Sequence, residues 1–273
     1  MEEKNNQNKV SNVIECKGLG IDFGGLTAVD DFNKSIAAAQ ISGLIGPNGA
    51  GKTTVFNLLT KVYNPTRGSI FLNGKDTKSM SITDINKAGV ARTFQNIRLF
   101  SNLSVIDNVR VGMHNSINHS IVDSVLRLPK YWKSEKQSIE RARELLSIFQ
   151  MDDVYKEKAG SLSYGSQRKL EIARALATNP SLLLLDEPAA GMNHSETEEL
   201  METIKKVQEQ FKIAILLIEH DMQLVMGICS EITVLNYGRI IATGTPTEIQ
   251  NDKKVLEAYL GSDHKEIGED AHA

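Results

Sequence analysis

Apolar residues follow two rhythms along this chain. Short, nearly unbroken runs at Ile41–Ile45, Leu182–Leu185 and Ile213–Ile218 are flanked by polar or glycine-containing segments. They predict strands buried on both faces, the pattern of a parallel sheet covered by helices. Val13–Cys16 and Gly20–Phe23 predict two further short strands near the start. GSIFLNGKD combines strand-forming residues with an Asn-Gly pair and predicts a strand followed by a hairpin turn. EITVLNYGRIIATG predicts a second hairpin, turning at Asn236, Tyr237 and Gly238.

The other rhythm is helical. KTTVFNLLT, following Gly51, predicts a helix that stops near Tyr63, Asn64 and Pro65. From about Ser104 to Tyr155 strand signals vanish and apolar residues recur at helical spacing. Ile117, Ile121 and Val125 form one stripe; Ile139, Ala142, Leu146 and Phe149 form another, with Pro129 between them. These stripes predict packing within a helical lobe, with Trp132 as an anchor, inserted into an α/β core. Farther on, Ser195 and Glu198 in SETE have the spacing of a capping box at a helix start. Helices are also predicted from about Asp221, over TPTEIQ and over DKKVLEAYL. Strand–helix alternation with antiparallel additions predicts an α/β fold with a mixed sheet. Residues 1–11 and 262–273 are polar tails around a single domain over 12–261, and neither repeats nor low-complexity segments interrupt it.

Composition narrows the setting more than the chemistry. The 273 residues carry 41% hydrophobic and 24% charged side chains and a net charge of −3. That is ordinary for a globular protein and gives no basic surface for nucleic acid. No apolar run approaches the roughly 18–20 residues that cross a bilayer, and MEEKNNQNKV has no signal-peptide character. Two isolated cysteines, Cys16 and Cys229, imply no disulfide framework and fit a reducing, cytoplasmic setting.

The chemistry begins at GPNGAGKT, Gly46 to Thr53, which matches a phosphate-binding loop with a strand before it and a helix after it. Gly46, Gly49 and Gly51 let the backbone curl, so that N–H groups of Gly46, Asn48, Ala50 and their neighbours can surround phosphate oxygens; Pro47 belongs to the same loop. Lys52 can reach β- and γ-phosphates, the Thr53 hydroxyl can bind Mg2+, and Thr54 completes the loop. LLLLDEP places carboxylates at the end of a buried strand, where open α/β sheets bind ligands. Asp186 is positioned to hold Mg2+ and Glu187 to orient or deprotonate an attacking water. Gln95 can sense the γ-phosphate through Mg2+ or water, His220 can donate to it, and Phe23 can stack on adenine. Taken alone, Gln95 reads more readily as a surface glutamine and His220 as a structural histidine, while Phe23 reads equally as an ordinary core aromatic. SLSYGSQRKLEIARAL opens what reads as a helix with small polar residues, a second place suited to an anion. The remaining histidines lack metal-ligand spacing.

The order P-loop, Gln95, LSYGSQ, LLLLDEP, AAGMN and IEHD spans nearly the whole chain and resembles the ATP-binding-cassette ATPases. FGGLTAVDD, RTFQNIRLFSNLSVIDNV, EPAAGMN and TPTEIQNDKKVLEAYLG bring it closest to the ATP-binding subunits of branched-chain amino acid importers. The segment from His114 to about Tyr131 resembles the larger, LivG-type subunit. The resemblance implies a P-loop nucleotide-binding core with an antiparallel β subdomain and a helical subdomain over about 96–160. It implies a head-to-tail ATPase dimer with two ATPs sandwiched, Ser163 and Gly165 facing the partner's γ-phosphate, and ATP with Mg2+ as the bound species. The implied partners are a second ATPase subunit (a paralogue, or another copy), transmembrane permease subunits near Gln95 and NIRLF, and indirectly a solute-binding protein. The implied location is the inner face of the cell membrane. Tyr164 stands where most cassettes have glycine, Asn193 where most have aspartate, and Ser166 where the signature has glutamine. Alternatives are a cassette ATPase of lipopolysaccharide or urea/amide transport, a non-transport cassette protein, and a regulatory nucleotide binder that does not hydrolyse.

Overall fold

The computed structural model describes residues 12–114 and 129–266; the predicted stripe of Ile117, Ile121 and Val125 lies outside them. In chain order, β1 (Asn12–Phe23) and β2 (Leu26–Ala37) precede β3 (Ile41–Ile45), which leads into α1 (Lys52–Leu59). β4 (Arg67–Leu72), β5 (Lys75–Asp76), α2 (Ile82–Lys87) and β6 (Val90–Arg92) follow. Next come α3 (Val105–Gly112), α4 (Pro129–Ile148), a 3-10 turn at Ala159–Ser161 and α5 (Tyr164–Leu176). β7 (Leu182–Asp186), α6 (His194–Phe211), β8 (Ala214–Ile218) and α7 (Met222–Ile228) continue the alternation. The hairpin β9 (Glu231–Asn236) and β10 (Arg239–Gly244), then α8 (Pro246–Gln250) and α9 (Lys253–Glu266), end it.

Two sheets organise these elements. One is antiparallel with order β2-β1-β4-β5; the other has order β10-β9-β3-β8-β7-β6 and is parallel except at β10. Every residue of β3, β7 and β8 is buried. Because side chains alternate along a strand, the two faces of the large sheet enter different cores. Leu44, Leu182, Leu184, Leu216 and Ile218 pack with α1 and the antiparallel sheet. Ile45, Leu183, Leu185, Ile215 and Leu217 pack with residues of α3 through α7. Among the described residues of 96–160 there is no strand longer than the isolated Ser104–Lys158 bridge.

Several local expectations are corrected. β1 is one strand rather than two, because Gly18 at φ 53 and register shifts around Leu19 absorb the break as a bulge. β2 was not predicted at all. Phe32, Lys34 and Ile36 alternate inward, but Asp31 at φ 49 slips the phase by one residue after Val29. Lys34 is buried there and pairs with Glu231. α1 stops at Leu59, before the predicted Tyr63, and Lys61 takes a left-handed φ of 59. The capping box on α6 uses Asn193 and Glu196, each accepting from the other's backbone N–H at 3.0 Å, not Ser195 and Glu198. Along α4, Ala142, Leu145 and Leu146 are buried while Ile139 is exposed. Trp132 is exposed too, at 57%, its ring edge-on to Tyr131, rather than a buried anchor. α9 continues to Glu266, into the segment expected to be a tail.

Candidate functional site

The loop between β3 and α1 adopts a shape that only glycine permits at its ends. Gly46 has φ 148, and a Cβ there would lie 2.0 Å from the Leu235 carbonyl oxygen. Gly51 has φ 103, and its Cβ would lie 2.7 Å from the Ala28 carbonyl oxygen. The loop turns so that Asn48, Gly49, Ala50, Gly51, Lys52, Thr53 and Thr54 line a cleft of about 410 Å³. Leu26, Thr27, Ala28, Glu187, His220, Tyr237 and Gly238 supply its other walls. The opening turn of α1 adds unpaired N–H groups and a positive dipole end, a setting for an anion. Gly46 and Pro47 do not line the cleft; their carbonyls accept from the Lys52 ammonium at 2.6 and 2.9 Å. Burial holds the Lys52 pKa below the usual lysine range, opposed by Glu187 and Asp186. From the last helix, the Tyr259 hydroxyl accepts from the Gly46 backbone N–H; burial raises that phenol and this bond tempers it.

β7 delivers the two carboxylates to different surroundings. Asp186 is buried, and its Oδ2 accepts from Arg92 at 2.7 Å. Glu187 follows at φ 48, a left-handed conformation unusual for a residue with a side chain. Its Oε2 accepts from the Gln95 side-chain amide at 2.7 Å, and its Oε1 lies 3.1 Å from His220 Nε2. Gln95 and His220, from separate parts of the chain, therefore meet at one carboxylate facing the cleft.

Ser163 caps α5 by accepting from the Ser166 backbone N–H at 3.3 Å, and the two hydroxyls are 3.0 Å apart. The opening that holds Ser163 and Gly165 is not part of the cleft lining. Tyr164 is accommodated because its ring lies over Gly191, where a Cβ would be 3.3 Å away. One turn along, Arg168 is fully buried. It donates to the Phe94 and Gln95 carbonyls at 2.6 and 2.7 Å and to Glu171 at 2.9 Å. Glu171 in turn accepts from the Arg98 backbone N–H at 3.2 Å. The segment bearing Gln95 is thus clamped to α5 by a buried ion pair.

Phe23 is not among the residues that line the cleft. It ends β1 half-exposed, its ring edge-on to Tyr63 at 5.2 Å, and Leu26, Thr27 and Ala28 after the turn reach the cleft instead. Arg92 and Arg168 were missed. The available signals were an arginine closing the short apolar strand VAR and an Arg-Glu pair at helical spacing.

A family model described as ABC transporter matches residues 29–190, and one described as Branched-chain amino acid ATP-binding cassette transporter matches 239–265. The high-affinity branched-chain amino acid transport ATP-binding protein BraF of Pseudomonas aeruginosa is 43% identical over 91% of this chain and 98% of its own. LivG of Escherichia coli, described in the same words, matches at the same identity and coverage. The lipopolysaccharide export ATP-binding protein LptB of Escherichia coli is 31% identical over 92% of this chain and 98% of its own. Among solved structures, an ATP-binding cassette of an ABC transporter in its ADP conformation superposes with TM-score 0.80 at 28% identity, covering 92% of this chain and 99% of that one. With the phosphate loop, the paired carboxylates and the capped α5 in one fold, the chain belongs to the ATP-hydrolysing, ATP-binding proteins of the ABC transporter family.

Proposed function

We propose that this chain powers the import of branched-chain amino acids, binding and hydrolysing ATP at a head-to-tail ATPase dimer docked on a membrane permease. The observation that carries the reading is the convergence of Gln95 and His220 on Glu187 at the wall of the phosphate-loop cleft. The relatives at 43% identity supply the solute class. In this reading the backbone of Gly46 to Thr54 and the Lys52 ammonium bind the phosphates. Phe23 serves adenine from beside the cleft. Glu187 accepts a proton from the attacking water, His220 donates toward the γ-phosphate, and Gln95 fixes the carboxylate between them. Ser163 and Gly165 serve the nucleotide of the facing subunit.

Among the described residues no group of three or more His, Cys, Asp or Glu side chains could hold a metal by itself. That suits Mg2+, which is usually held by one or two protein oxygens together with substrate phosphates. Thr53, Asp186 and Gln95 are the residues that would hold it, and when bound it would neutralise charge developing on the phosphates. The rest of catalysis is positioning in a pre-arranged polar site.

The partners proposed are a second ATPase subunit, a paralogue in preference to another copy, the permease subunits, and a solute-binding protein that acts through them. Nucleic acid is not among them. The domain organisation proposed is a single domain over 12–261 with a helical subdomain over about 96–160. No described helix is long and apolar enough to cross a membrane, and the proposed location is the cytoplasmic face, held there by the permease. The test is to affinity-purify the chain from its own cells, identify any permease that comes with it, and reconstitute both in nanodiscs with the solute-binding protein. ATP hydrolysis is expected to rise on adding leucine, isoleucine or valine. Stimulation by an unrelated solute alone would overturn the solute class, and no association with a permease would overturn the transport role.

A further inference from the structure

Arg92 holds none of the roles assigned in the proposed function, yet it is the residue that grips Asp186. One terminal nitrogen donates to Asp186 Oδ2 at 2.7 Å, and the other donates to Asn57 Oδ1 on α1 at 2.8 Å. The charged side chains are almost dry, 8% and 7% exposed. The Phe56 and Phe94 rings flank the guanidinium at 5.5 and 5.1 Å. Its Nε is buried without a hydrogen-bond partner. Leaving such a donor unsatisfied is unfavourable, so the pairing with Asp186 and Asn57 and the aromatic contacts must outweigh it. A buried cation is thus built against the carboxylate assigned to the metal.

Resting on the reading that Asp186 faces Mg2+, we propose that Arg92 is a positioning residue that limits how strongly Asp186 draws Mg2+ into the site. It fixes the carboxylate through Oδ2 and neutralises it, so that the metal enters chiefly as a complex with nucleotide. Two cations sharing one carboxylate in a poorly solvated place repel each other strongly. Without the guanidinium, Asp186 becomes a buried charge that lacks its partner, and a divalent cation is what can compensate it.

The measurement is the dissociation constant of fluorescent ATP on the full chain in EDTA and in saturating Mg2+. The ratio of the two is the metal-linked gain in affinity. Arg92→Met keeps the reach and fits between the rings; its ratio is expected to exceed the wild-type ratio by about 10-fold. Arg92→Lys keeps the charge, and its ratio is expected to stay within about 2-fold of wild type. An unchanged or smaller ratio in Arg92→Met overturns the proposal, as does an equal change in Arg92→Lys. Should Arg92→Met not fold, Arg92→Gln is also neutral and carries the same expectation. Asp186→Asn separates the two layers. If it keeps the wild-type ratio, Asp186 is not the metal carboxylate and the underlying reading fails. If it loses the ratio while the neutral Arg92 variant does not move it, only the role of Arg92 fails.

Discussion

Gln95 donates its side-chain amide to Glu187 at 2.7 Å, fixing one oxygen of the carboxylate while His220 stands 3.1 Å from the other. A carboxylate held from both sides is preorganised to take a proton from water. Glu187→Gln preserves the shape and removes the basicity. It is expected to bind ATP as wild type does and to hydrolyse it about 10²–10⁴-fold more slowly. Phosphate release measured with the reconstituted permease checks this, and near-normal turnover would remove Glu187 from the role of base.

Arg168 is expected to be a stability residue as well as a clamp. Arg168→Met removes the direct ion pair of Glu171, only 1% exposed, leaving it the Arg98 backbone N–H and Arg174 at 4.0 Å. Breaking a buried pair from one side typically costs about 3–5 kcal/mol. Chemical denaturation should show a loss on that scale, with hydrogen exchange rising first at Phe94, Gln95 and Arg98. A variant as stable as wild type would show that the pair is dispensable.

The glycines of the phosphate loop should not respond alike to alanine. At Gly46 the added methyl meets the Leu235 carbonyl oxygen at 2.0 Å, so the loop must move away from β9. At Gly49 nothing lies within 4 Å and only the φ of 75 is unfavourable, a penalty of roughly 1–2 kcal/mol. Gly46→Ala is expected to abolish nucleotide binding and Gly49→Ala to weaken it. Calorimetric titration with ATP distinguishes them, and equal effects would show that loop conformation, not the approach to Leu235, is limiting.

The capping box at the start of α8 gives a pH dependence of known sign. Hydrogen bonds from the Thr245 backbone N–H and hydroxyl hold the Glu248 carboxyl below its usual range. A lowered folded value means that the contribution is complete above the unfolded value, about 4.3, and is lost as pH falls through the folded one. The stability difference between wild type and Glu248→Ala should therefore be constant near neutrality and shrink as the solution is acidified below about pH 4. A difference that grows with acidification would contradict the assignment.

The legible parts of this fold were those whose cause is local. The phosphate loop, the buried strands, the Tyr237–Gly238 turn and the opening of α5 are each determined by residues within a few positions of one another. β2 was illegible because Asp31 interrupts its alternation, and only pairing with β1 reveals that the chain stays extended. Arg92 and Arg168 were missed for a related reason. A charged side chain in a polar-looking context declares itself buried only through partners distant in sequence, Asp186 and Asn57 for one, Phe94 and Gln95 for the other. Phe23 was legible as an aromatic at the end of a strand, but its packing on Tyr63 was not.

Gly46 is held from two directions, its carbonyl by Lys52 and its N–H by Tyr259 of α9. The phosphate loop is therefore buttressed by α9, and its shape is completed only once that helix has docked. During synthesis the loop stays unfinished until Tyr259 has been made and α9 has docked. For the bench, a truncation before Tyr259 would be felt at the phosphates.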